Sequence, residues 1–258
     1  MRYAIPTCAV AALLAAAPVM AAEEPAQAET PTWTVSSNVG IFSQYIFRGI
    51  GYTQKQPAIQ GGFDIAHKSG LYAGVWATNV SSDAFAGSNV EVDFYGGYAN
   101  SIGEVTYDVG LLQFYYPNGK LAGSSGKPAE RYNTLEAYAA LTWKMFNVKY
   151  SHALTDFFGA NANNSAQGDT DGSGYIEGNV NYEVLPTWIV NLHAGHQHVE
   201  NFKDASYSDW KVGITKTFDG GWEASAAWVD TNAKASVYSF NNKYVGDSKV
   251  LAYIKRTF

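Results

Sequence analysis

This sequence predicts an all-β fold: a single transmembrane antiparallel up-and-down β-barrel of about twelve strands. Three observations predict it. Twelve segments follow one another in which apolar and polar residues alternate with period two, the spacing of a strand with two unlike faces. The links between those segments alternate between short and long. The composition, with 18 Tyr, 13 Phe, 7 Trp and 25 Gly, is rich in strand formers and turn glycines.

Ahead of the strands, Met1-Arg2 is a basic start, Ala9 to Val19 is apolar, and Val19-Met20-Ala21 ends in small residues. Residues 1–21 read as a Sec signal peptide, cut after Ala21 or Ala22, and are too short to be a membrane helix. Cys8 lies within that segment, so the mature chain has no cysteine for a disulfide, thiol chemistry or a thiolate metal site. Losing Arg2 leaves 16 basic against 23 acidic residues, a balance that argues against nucleic acid as a partner. Residues 22–33, acidic and proline-bearing, read as a flexible periplasmic lead. Residues 34–258 form the barrel.

The strands run in order. Thr34 to Phe47 places Val35, Val39, Ile41, Tyr45 and Phe47 on one parity. Ala58 to Ala66 sets Ile59, Phe63 and Ile65 against Asp64, and Leu71 to Val80 carries Tyr72, Trp76 and Val80 on one face. Asn89 to Ala99 opposes Val90, Val92, Phe94 and Tyr98 to Glu91 and Asp93; Val105 to Tyr115 opposes Val105, Tyr107, Val109 and Leu111 to Asp108. Thr134 to Trp143 has Glu136 and Tyr138 on the face opposite its alanines and leucines, and Phe146 to Ala153 has Lys149 opposite Val148 and Tyr150. Tyr175 to Val184, Trp188 to Gln197, Ser208 to Phe218 and Trp222 to Val229 repeat the pattern, and Val250 to Phe258 is the twelfth strand.

The short links are 68–70, 101–104, 144–145, 185–187 and 219–221; the others, such as 117–131, 156–174, 199–207 and 230–246, are long and polar. Both chain ends fall on the short-link side. That is the layout of a bacterial outer-membrane barrel. Phe47, Trp143, Trp188 and Trp222 at strand ends suit an interfacial girdle. The last strand, ending on Phe258, is expected to close the wall against the first and to be the segment met by the barrel-assembly machinery.

Chemistry-bearing motifs are few. Asp169-Thr170-Asp171-Gly172-Ser173-Gly174-Tyr175-Ile176 opens like a calcium loop, but the position that needs a bidentate Glu is Val180. His196 and His198 can share a direction on a strand, yet no third ligand other than Glu200 is near in sequence. There is no Gly-x-Ser-x-Gly and no distinctive Ser–His pairing. No enzyme activity, cofactor or metal is therefore expected.

By parity, the inward-facing charges are Arg48, Asp64, Glu91, Asp93, Asp108, Glu136, Lys149, Glu177, Glu183, Asp209, Lys211, Glu223, Lys249 and Lys255. They either pair across a narrow lumen or line a hydrated passage. Acids outnumber bases nine to five in this set, so a passage would weakly prefer cations. The reading is a passive pore for small hydrophilic solutes. The alternative is a closed barrel acting through its outer loops, in adhesion or structure.

Ser43-Gln44-Tyr45-Ile46-Phe47-Arg48-Gly49, then Pro57-Ala58-Ile59-Gln60-Gly61-Gly62-Phe63-Asp64 and Gly70-Leu71-Tyr72-Ala73-Gly74-Val75-Trp76, resemble the TorF-like group of proposed porins, proteobacterial proteins long described as of unknown function. The resemblance is tightest over residues 35–80. It implies an outer-membrane barrel and a pore without an assigned solute. His196 and His198 depart from the aromatic and acidic residues expected there. Arg48 is expected at the top of the first strand, with Gly49 and Gly51 loosening the loop behind it. It either anchors that loop to the wall, with Asp64 a candidate partner, or constricts the mouth; the anchor is the reading preferred.

Overall fold

The computed structural model describes residues 31–258; the signal-peptide reading and most of the lead lie outside the described residues. Twelve strands build the wall: β1 Trp33–Phe42, β2 Ala58–His67, β3 Leu71–Asn79, β4 Val90–Ile102, β5 Val105–Tyr115 and β6 Thr134–Trp143. The second half is β7 Phe146–Ala153, β8 Gly174–Leu185, β9 Trp188–His198, β10 Tyr207–Phe218, β11 Trp222–Thr231 and β12 Lys249–Thr257. Each pairs antiparallel with its sequence neighbours, and β1 pairs with β12 from Asn38↔Thr257 to Phe42↔Tyr253. The sheet therefore has no free edge, which satisfies every ladder group inside the wall.

Period two decides which way each side chain points. Ile41, Ile59, Phe94, Leu111, Leu141, Val212 and Ile254 are exposed on the outside, whereas Glu91, Asp93, Asp108, Glu136, Asp209, Glu223, Lys249 and Lys255 are buried on the inside. An apolar belt around a closed barrel is the surface that lipid covers. At the short-turn end it is edged by Trp33, Trp143, Phe146, Trp188, Phe218, Trp222 and Phe258. Cations lie over several of these rings, Lys144 on Trp143 at 4.8 Å and Arg256 on Phe258 at 4.4 Å. On β3 the face bearing Tyr72 and Trp76 is the inner one: Trp76 packs on Tyr45 with ring centroids 5.6 Å apart. Placing a charge on the belt should be costly. Val109→Arg, in the middle of β5, is expected to lower unfolding stability in lipid by ~2–4 kcal/mol; an unchanged denaturation midpoint would contradict the lipid-facing assignment.

The expected first strand runs too far. It stops at Phe42, and residues 43–57 turn into the barrel instead of continuing the wall. Phe47 is consequently part of no outer girdle. It packs inside against Phe114, centroids 5.4 Å apart.

Candidate functional site

Within residues 43–57, Ile46–Phe47 pairs with Ile50–Gly51 as a two-stranded hairpin. Its two central residues are Arg48 (φ 46°) and Gly49 (φ 78°), the pair of left-handed conformations of a type I′ turn. Gly49 is held by space as well as by φ: a Cβ there would run into Thr231 Cγ2 and come within 2.7 Å of Asp209 Cβ. The glycine makes a tight tip rather than a loose loop.

The hairpin lies across the lumen. Its tip leaves the β1–β2 side, reaches β6, β8 and β9 across the lumen, and also contacts β10, β11 and β12. The Arg48 guanidinium donates to both Glu136 oxygens at 2.9 and 2.6 Å and to Gln197 Oε1 at 2.9 Å. It is sandwiched between the Phe47 ring at 4.7 Å and the Tyr175 ring at 4.4 Å. Tyr207 Oη donates to the Arg48 carbonyl at 2.8 Å, and Lys249 Nζ to the Gly49 carbonyl at 2.9 Å. Arg48 and Glu136 side chains are only 7% and 2% exposed, so this is a fully desolvated, bidentate pair. Anchor and constriction are thus one contact. The expected partner Asp64 is not used: it accepts instead from Tyr95 Oη, because the inturned hairpin carries Arg48 beyond its reach.

Aromatic side chains from the other long loops pack over the hairpin. Phe85 stacks on Tyr116 at 4.1 Å, and Phe158 reaches Phe114 at 5.4 Å and Phe47 at 6.3 Å. Ile50, Tyr52, Val199, Tyr238 and Val245 complete this buried cluster. The long-loop end of the barrel is closed by an apolar plug, with carboxylates beneath it. Tyr45 and Tyr116 donate to the two Glu91 oxygens at 2.6 and 2.7 Å. Burial, reinforced by Glu91, pushes both phenols well above their ordinary range, so they remain donors.

Below the plug the interior is polar. Asp108 accepts from Tyr72 at 2.5 Å, and Lys149 lies 4.4 Å above the Tyr138 ring and pairs in register with Glu177. Asp209 accepts from Tyr175 at 2.8 Å and contacts His193 at 2.9 Å; Lys211 is opposite His193 in register. Glu223 pairs with Lys255 at 3.0 Å. Asp93 is buried on β4, in register with Trp76 and Phe114. Glu183 is exposed at the short-turn mouth, where it accepts from the Thr187 amide at 2.8 Å. Tyrosine is the usual partner of the inward carboxylates, and Tyr72, Tyr95, Tyr175 and Tyr253 share the acids' inward parity, a signal that the charged residues alone do not reveal. His193 is inward. His196 and His198 are exposed, bonded to Ser208 and Glu200.

The charges are segregated around the wall. β1 to β6 contain no Lys or Arg while presenting Asp64, Glu91, Asp93, Asp108 and Glu136 inward; the wall lysines are on β7, β10 and β12.

A closed twelve-strand barrel with an apolar exterior and a charged interior has the fold of outer-membrane porins. NanC porin superposes with a TM-score of 0.53 at 12% identity over 87% of this chain and 99% of that one. KdgM porin does so with 0.52 at 8% identity over 86% and 98%. These likenesses show the fold. The chain belongs to the family described as bacterial protein of unknown function (Gcw_chp), which matches residues 25–258. No curated protein matches it by sequence.

Proposed function

We propose that this protein is a porin-type channel of the bacterial outer membrane, passing small hydrophilic solutes passively with weak preference for cations. The observation that carries it is the polar, charged interior between the short-turn mouth and the hairpin, inside a lipid-facing belt. Of the fourteen candidate charges, those below the hairpin would line that route; Arg48 closes it, Glu91 is capped by Tyr45 and Tyr116 at the plug, and Lys249 is held at the long-loop end on the Gly49 carbonyl. The finer resemblance to the TorF-like group, and recognition of the Phe258 strand by the assembly machinery, belong to the same reading. A structure of KdgM porin in complex with disordered oligogalacturonate shows a barrel of this fold with a polyanionic guest. Here the acid-only half of the wall favours cations instead.

Single-channel recording of the refolded mature protein under a salt gradient tests this. Conductance steps with a cation-leaning reversal potential are expected. Asp93→Asn with Asp108→Asn should move that potential towards zero, reducing the permeability ratio by about twofold; an anion-leaning parent would overturn the selectivity. The apolar plug favours a second reading, a closed barrel working through its loops. A folded protein that stays silent even when the hairpin is released would select it.

A further inference from the structure

Among the described residues, three buried side-chain polar atoms have no hydrogen-bond partner: Gln44 Oε1, Asp93 Oδ1 and Asp247 Oδ1. Two of the three residues, Gln44 and Asp247, line one cavity of about 230 Å³. It lies at the long-loop end, between residues 43–57 and the β11–β12 loop, and Lys55, Lys243 and Lys249 line it as well.

The polar groups there have fixed orientations. Gln44 is 5% exposed, and its Nε2 donates to the Val250 carbonyl at 2.9 Å. That bond assigns the amide and directs the oxygen towards Gly51, where an added Cβ would lie 3.3 Å from it. Asp247 uses Oδ2 for Lys55 at 2.6 Å and leaves Oδ1 unbonded. A buried acceptor without a donor costs free energy that an incoming hydroxyl recovers. Lys55 is paired with Asp247 and Lys249 donates to the Gly49 and Val245 carbonyls, which leaves Lys243 on the rim and the lining net cationic, a balance that disfavours amines and favours a carboxylate. The cavity is smaller than the ~300 Å³ at which drug-sized pockets begin, so it suits a single ring rather than a chain.

We propose that this cavity is a binding site for a small hydroxylated carboxylate, a one-ring sugar acid, whose hydroxyls donate to Gln44 Oε1 and Asp247 Oδ1 and whose carboxylate meets Lys243 and Lys55. Gly51 keeps the floor open. Its φ is not in the left-handed region, since it is absent from the positive-φ glycines, so alanine is tolerated by the backbone while its methyl fills the site.

The test is calorimetric titration of the folded full-length mature protein in detergent with D-glucuronate and, separately, D-glucose. Glucuronate is expected to bind more tightly than glucose. Lys243→Ala, at an exposed position without a polar contact, should weaken glucuronate about fivefold and leave glucose unchanged. Gly51→Ala should weaken both by more than about tenfold, with the denaturation midpoint held near that of the parent. No heat with either sugar, equal affinity for the two, or Gly51→Ala binding like the parent would each overturn the proposal. Because the readout is binding and not current, a silent channel leaves this test intact.

Discussion

Arg48→Ala is expected to turn a mostly closed channel into a mostly open one. The substitution leaves the Glu136 carboxylate, 2% exposed, without its cation. Removing one member of a buried pair costs about 3–5 kcal/mol. Because Arg48 belongs to a loop hairpin and not to the ladder, that cost falls on the inturned state of residues 43–57. At about 1.4 kcal/mol per tenfold, the population with the hairpin released rises by roughly two to three orders of magnitude. Single-channel records should show long open steps where the parent shows rare ones, while the barrel's denaturation midpoint stays near that of the parent. Arg48→Lys should fall between, since an ammonium keeps the charge but loses the two-pronged bond and the stacking on Phe47 and Tyr175. Records of Arg48→Ala indistinguishable from the parent, on protein shown to be folded, would refute the hairpin as the closing element.

The wall was legible in the sequence and the plug was not, for a physical reason. Alternation such as Val105-Thr106-Tyr107-Asp108-Val109 records which side of a strand meets lipid, because each residue pays for its own exposure locally. β5, β6 and β7 accordingly have the boundaries expected of them. The same alternation misleads after Phe42. Tyr45 and Phe47 keep the parity of Val39 and Ile41, so period two continues while the backbone leaves the wall. What turns it inward is a contact between residues 88 positions apart, Arg48 with Glu136, and periodicity holds no information about such pairs. The one local signal is Arg48-Gly49 itself, a glycine where a two-residue turn demands positive φ. Likewise, parity puts Glu136 and Tyr138 inside, but whether an inward acid meets a tyrosine, a lysine or the lumen depends on strands that the chain reaches much later.

Lys255→Met should show the opposite balance to Arg48→Ala: a large loss of stability with little change in gating. Lys255 Nζ and Glu223 Oε1 are 3.0 Å apart with side chains 6% and 5% exposed, and the two residues face each other in the β11–β12 ladder. Glu223, on β11, also accepts from Tyr253 Oη at 3.0 Å, so two residues of β12, the strand that closes the barrel against β1, hold it. The single variant strands a buried carboxylate within the wall and is expected to destabilise the protein by about 3–5 kcal/mol. Adding Glu223→Leu removes that stranded charge and should restore most of the loss, because the pair itself contributes little beyond its own desolvation cost. Denaturant titration of the parent, the single and the double variant reads both effects. A double variant no more stable than the single one would mean that the pair holds the closing seam by attraction, and that β12 depends on it directly. The contrast with Arg48 follows from placement: like chemistry closes a gate when one partner is on a loop, and holds a wall together when both are on strands.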